Sequence, residues 1–254
     1  MSNDGGETAD TATTRTQRLT EAARDRSFAP LKPRDSATLI LVDRSASVPK
    51  VLLGRRHAGH KFLPGKFVFP GGRVESADRA MPVAAPLAKA DTTRLQRRVQ
   101  RPSAAKAAGF ALAAIRETYE ETGLMLGVRG SERFGTPTAA WQPFADAGVL
   151  PDLSALHFIA RAITPPGRPR RFDSRFFAAD ASGIAHRVEG MVGPDAELVE
   201  LVWLPITEAR TLDMPGITAV VLEELQDRIA AGMRRDHPIP LYRMLHKRFV
   251  REIL

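Results

Sequence analysis

The chain has 254 residues, enough for one large domain or two small ones around a sizeable core. Its 43% hydrophobic and 26% charged residues are ordinary for a globular protein, and the lack of cysteine excludes disulfides, thiolate chemistry and Cys-type zinc sites. The net charge of +8, from 37 Lys+Arg against 29 Asp+Glu, suits an anionic partner such as a phosphorylated metabolite or nucleic acid, or simply a solvated basic surface.

Residues 1–34 are rich in Thr, Asp, Gly and Arg with little apolar periodicity, and predict a flexible arm ahead of a single domain over 35–254. The start, MSNDGGETAD, lacks the apolar core of a signal peptide. No stretch reaches the roughly 18 apolar residues a membrane helix needs, so the expected setting is cytoplasmic, without a membrane partner.

Strands are predicted at 37–42 (ATLILV) and 51–53, separated by a polar turn. A short apolar run, Phe67-Val68-Phe69, is then halted by Pro70-Gly71-Gly72. From about 79 to 103 the chain changes character, with three prolines and the basic cluster Arg94, Arg97, Arg98 and Arg101. A helix follows from Ser103, a plausible N-cap, to Thr122, with Gly123 placed to end it. Segments 156–164 and 171–179 read as strands paired across Pro165-Pro166-Gly167, and 197–204 reads as another. A short helix near 207–210, a longer one over 218–231 and an amphipathic basic tail over 241–254 complete the order. The tail suits a packing helix or the contact of a homodimer. Alternating strands and helices without a repeat predict an α/β or α+β domain.

Arg116-Glu117-Thr118-Tyr119-Glu120-Glu121-Thr122-Gly123-Leu124 crowds three acids into one patch, because i+3 and i+4 neighbours share a helix face. Like charges so placed weaken a helix. Three convergent carboxylates also form a hard oxygen site suited to Mg²⁺ or Mn²⁺, which would relieve the repulsion. An exposed acidic helix end is the plainer reading of that segment alone.

Gly72 with Asp78 upstream, and Arg116, Glu117, Glu120, Glu121, Gly123 and Leu124 downstream, together resemble the Nudix box, G-x5-E-x7-R-E-U-x-E-E-x-G-U with U apolar. Asp78 stands where the pattern has Glu, and Thr118 where it has an apolar residue. Residues 79–115 number 37 in place of seven, so the box is split by an insertion. The resemblance implies a Nudix fold, a mixed β-sheet sandwiched between helices with a loop–helix–loop box. It also implies Mg²⁺-dependent hydrolysis of a nucleoside diphosphate linked to another moiety. On that analogy Glu120, Glu121 and the Gly71 carbonyl are metal ligands, Glu117 is a further ligand or the base, and Arg116 holds the glutamates.

The base is not fixed in this family, and Asp195, Glu197 and Glu200 are downstream candidates, with Glu200 preferred. VLLGRR and FLPGKFVFPGG resemble the branch related to peroxisomal coenzyme A diphosphatases, which implies CoA or acyl-CoA as substrate. Arg55, Arg56, Lys66 and Arg175 are the candidate phosphate contacts, with Arg170 and Arg171 beside them. The alternative is a non-catalytic Nudix-fold module that senses a nucleotide or binds nucleic acid. The three intact glutamates count against it, as does the lack of interleaved aromatic and basic residues.

Overall fold

Ala37, Leu39 and Leu41 point to one side of strand β1 (Arg34–Asp43) and Ile40 and Val42 to the other, and all five are buried. A strand buried on both faces must lie inside a sheet covered twice. The computed structural model, which describes residues 5–22, 27–60, 62–130 and 133–254, has this arrangement.

The elements preceding the acidic helix are α1 (Gly5–Ala22), β1, β2 (Lys50–Arg56), β3 (Phe67–Val68), β4 (Gly71–Arg73) and α2 (Lys89–Leu95). The acidic helix itself is α3 (Ala104–Thr122), followed by β5 (Leu124–Leu126), β6 (Val128–Arg129), α4 (Gln142–Asp146) and β7 (Val149–Leu150). Then come β8 (His157–Ile163), β9 (Phe172–Asp180), β10 (Ile184–Arg187), β11 (Leu198–Pro205), α5 (Ile206–Ala209) and α6 (Gly216–Ala230). A hairpin of β12 (Pro240–Leu245) and β13 (Arg248–Ile253) ends the chain.

The main sheet runs β11-β2-β1-β9-β8-β12-β13, with β3 on β2 and β4 on β1. The β1–β9 and β8–β12 pairings are parallel and the others antiparallel, so the sheet is mixed. One face packs on α3, Trp141 and Phe144, and the other on α5, α6 and Leu19 of α1. This is the mixed sheet between helices that the box implied. Among the described residues, no helix is long and apolar enough to cross a membrane.

The ends of α3 fall where the sequence places them. Ser103 caps it by accepting from the Lys106 amide at 3.1 Å, and Gly123 closes it at φ 76°. A side chain at 123 would strike the Val188 carbonyl oxygen 2.0 Å away. Thr118 is fully buried in place of the expected apolar residue, and its hydroxyl donates to the Ala114 carbonyl at 2.7 Å. That bond satisfies the buried hydroxyl.

Two expectations are corrected. The flexible arm contains a docked helix: Arg15 of α1 donates to Glu223 at 3.0 Å, Glu224 at 2.9 Å and Asp227 at 2.7 Å. Such a buried fork is a stronger anchor than the weak apolar periodicity of the segment. Residues 1–4 and 23–26, also within the expected arm, lie outside the described residues. The basic tail is the β12–β13 hairpin, not a helix, and it turns at His246 and Lys247 with φ of 46° and 67°. The insertion contains the short helix α2 and packs on the core. Met81, Leu87 and Leu95 join the core cluster that surrounds α3.

Candidate active site

The glycine turn and the acidic helix meet because β4 pairs with the start of β1, Thr38 opposite Gly71, while α3 crosses the same strand. Gly72 leaves room for the Glu117 carboxylate in this approach. A Cβ there would stand 2.2 Å from Glu117 Oε2.

Arg116 is the hub, only 3% exposed. Its Nε donates to Asp78 Oδ1 at 2.8 Å, and its Nη2 to Asp78 Oδ2 at 3.3 Å and to the Arg73 carbonyl at 2.8 Å. Its Nη1 donates to Glu117 Oε1 and to Glu120 Oε2, both at 2.9 Å. Asp78, 1% exposed, also accepts from the Glu75 amide at 2.8 Å and from Trp141 Nε1 at 3.2 Å. The two halves of the box are therefore joined through an Asp78–Arg116 pair, across an insertion that leaves the geometry intact. Burial opposes the charge on Arg116, but Asp78, Glu117 and Glu120 outweigh it and raise its pKa.

Glu121 accepts from the Gly71 amide at 3.2 Å, which places that peptide in the wall of the site. Burial, then the charges of Glu197 and Glu117, push the Glu121 carboxyl well above the ordinary range. Burial also raises Glu120 and lifts Glu117 to about 7, against the pull of Arg116. All three acids are therefore shifted toward the neutral form, although Arg116 is bonded to two of them.

These groups line a cavity of about 670 Å³ together with Arg56, Arg73, Glu75, Arg170 and Glu197. Arg56 pairs with Glu197 at 2.8 Å. Of the candidate phosphate contacts, Arg56 and Arg170 are in the cavity wall, whereas Arg55, Lys66 and Arg175 are not. Arg55 pairs with Glu200 at 2.7 Å across β2 and β11, away from the cavity. Glu200, the preferred base, is not among the residues that line the cavity, whereas Glu197 three residues earlier is. Lys66 is engaged by Asp213. Arg175 is buried beneath the Phe110 ring, 4.0 Å from its centroid, and salt-bridged to Asp35 at 2.7 Å. An Arg inside an apolar strand therefore serves the core here. Sequence reasoning missed Trp141, whose signal is an indole N–H that needs a buried acceptor.

Mg²⁺ or Mn²⁺ suits this donor set, since hard carboxylate oxygens line the pocket and their pKa values are raised first by burial and then by the neighbouring carboxylates. Among the described residues no three acidic or imidazole side chains cage a metal unaided. Mg²⁺ is commonly held by one or two carboxylates together with substrate phosphates, so a ready cage is not required.

A thermal test follows. A carboxyl raised in the fold contributes stability below its unfolded pKa, and that stability is lost as pH rises through the folded value. For Glu117 the window runs from ordinary Glu to about 7. The Tm increase produced by saturating Mg²⁺ or Mn²⁺ is expected to be larger at pH 8 than at pH 5, where protons compete. Comparing with and without metal at each pH cancels groups such as buried His157, lowered to about 4 mainly by burial, which titrates the opposite way. An equal or larger metal effect at pH 5 would refute this picture of the site.

No family model matches the chain. The chain is 29% identical to a solved Nudix hydrolase from Alicyclobacillus acidocaldarius, with 76% of this chain and 90% of that one covered and a TM-score of 0.57. It is 12% identical to the Nudix domain of Shewanella oneidensis NrtR, solved with ADP ribose, over 78% and 90% of the two chains at a TM-score of 0.45.

Proposed function

From the premise that the chain is a Nudix hydrolase acting on phosphoric anhydride bonds, we propose a cytoplasmic, Mg²⁺- or Mn²⁺-dependent pyrophosphohydrolase. Its substrate in this reading is a nucleoside diphosphate linked to a second moiety, with CoA or acyl-CoA as the first candidates. The observation that carries the reading is the Arg116 hub, which holds Glu117 and Glu120 in the wall of the cavity that Glu121 also lines.

Water forms a bond to one phosphorus as the bridging P–O bond breaks, giving two phosphomonoesters. Such transfers need positioning and charge neutralisation more than covalent help. When bound, the metal supplies neutralisation of the diphosphate oxygens and acidifies the attacking water. Glu120, Glu121 and the Gly71 carbonyl are assigned as its donors. Arg56, Arg73 and Arg170 offer guanidinium forks to phosphate oxygens. Two acids in the cavity are placed to accept the water proton, Glu117 and Glu197, and a Glu197→Gln variant separates them. Arg116 positions the glutamates and stays clear of the bond-breaking step.

The deciding experiment is turnover with Mg²⁺ or Mn²⁺ on a panel of CoA, acetyl-CoA, NADH, ADP-ribose, dinucleoside polyphosphates and oxidised dNTPs. Release of phosphomonoesters from at least one is expected. Tight metal-independent binding with no turnover on any would support a sensing module instead.

A further inference from the structure

The catalytic cavity has a neighbour of opposite character. A second cavity of about 440 Å³ shares its wall at Phe62, Leu63, Arg170, Phe176, Pro215 and Ile217. Beyond that wall it is closed by Ala162, Ile163 and Phe249, and by Leu19 and Ala22 of α1. Five glutamates line the first chamber, at 75, 117, 120, 121 and 197, and no carboxylate lines the second among the described residues.

The junction is built around Arg170, whose guanidinium carbon lies 6.0 Å from the Phe62 ring centroid, and Phe62 packs on Phe172 at 5.9 Å. Leu63 holds φ at 54°, a left-handed conformation that a Leu adopts only when its surroundings fix it. The far rim is tied down as well. Arg168 Nη2 donates to the Ala22 carbonyl at 3.2 Å, joining the end of α1 to the loop between β8 and β9. Across the two chambers the lining therefore runs from five glutamates interleaved with arginines to a mainly apolar chamber whose charged lining, among the described residues, is Arg168 and Arg170 alone.

We propose that the second chamber receives an alkyl chain carried on the diphosphate, and that α1 sets the length of chain accepted through Leu19 and Ala22. A substrate spanning both chambers has its diphosphate against the glutamates and arginines and its apolar group against Phe176, Ile217 and Leu19. This rests on the pyrophosphohydrolase reading and adds to it a specificity element outside the Nudix box. Burial of each methylene is worth about a fourfold change in affinity.

The test uses the full chain with Mg²⁺ and three adenosine 5′-diphosphate esters, carrying methyl, n-butyl and n-octyl groups on the terminal phosphate. The value of kcat/KM is expected to rise from methyl to octyl by at least about thirtyfold. Ala22→Trp, at the exposed end of α1, fills the chamber. It should cut octyl ester cleavage at least about tenfold while methyl ester cleavage stays within about twofold of wild type. Ala22→Leu should move the preference toward butyl. Cleavage of all three esters at equal efficiency, or an octyl-to-methyl ratio unchanged in Ala22→Trp, overturns the proposal and leaves the hydrolase reading standing. Cleavage of none overturns the proposal as well, while turnover of CoA or another member of the panel in the same preparation shows that the hydrolase reading stands without it.

Discussion

Glu120→Gln is expected to lower kcat by at least about a thousandfold, equivalent to about 4 kcal/mol of lost transition-state stabilisation, with the fold intact. Among the three glutamates it is the cleanest probe. Glu121 is buried against the Gly71 amide, and Glu117 fills the space beside Gly72, so altering either disturbs packing. Glu120 is 36% exposed, and a Gln in its place can still accept from Arg116 Nη1. The substitution removes one of three like charges, each raised above its ordinary pKa chiefly by burial. Metal-free Glu120→Gln should therefore melt no lower than wild type at pH 8, and the Tm increase on adding Mg²⁺ should shrink. Loss of activity with unchanged or improved stability is the mark of a site kept strained for function. A variant that retains more than a tenth of wild-type kcat would remove Glu120 from the catalytic set.

The site was half legible in the sequence, and the division follows the range of the forces involved. Spacing along one helix is a local property, so the convergence of Glu117, Glu120 and Glu121 and both ends of α3 could be read directly. Contacts across the chain could not. Asp78 and Arg116 are 38 positions apart, and a sequence pattern with its spacing broken shows neither the pair nor the Trp141 indole that completes it. Charge misled in the other direction. Arg55, Lys66 and Arg175 have the chemistry of phosphate ligands but lie outside the cavity wall, where Glu200, Asp213 and Asp35 pair with them. The terminal hairpin was hidden because its turn uses His246 and Lys247 at positive φ in place of the Asn-Gly or Gly-Gly pairs that announce such turns. The docking of α1 rests on one Arg finding three acids more than 200 residues away, which no periodicity records.

Asp78→Ala is expected to be the most destabilising single change at the site, by about 3–5 kcal/mol. Asp78 and Arg116 are 1% and 3% exposed, so neither can turn to water when its partner is removed. Truncation leaves Arg116 without its two bonds to Asp78 and strips the acceptor from the Glu75 amide and the Trp141 indole together. Each stranded donor adds its own desolvation cost. For a chain of this length the loss corresponds to a fall in Tm of about 6–20 °C. Asp78→Asn keeps the shape and one acceptor oxygen, so it should lose less. Asp78→Glu, the residue of the Nudix pattern, should restore the charge at the cost of one extra methylene in a packed space. Function should fall along with stability, because an Arg116 freed from Asp78 is drawn onto Glu117 and Glu120 and competes there with a cation. Weaker Mg²⁺ binding in Asp78→Asn, measured calorimetrically at a temperature where that variant remains folded, would separate this effect from unfolding. A Tm for Asp78→Ala within 2 °C of wild type would mean that the two halves of the box are held together by something other than this pair.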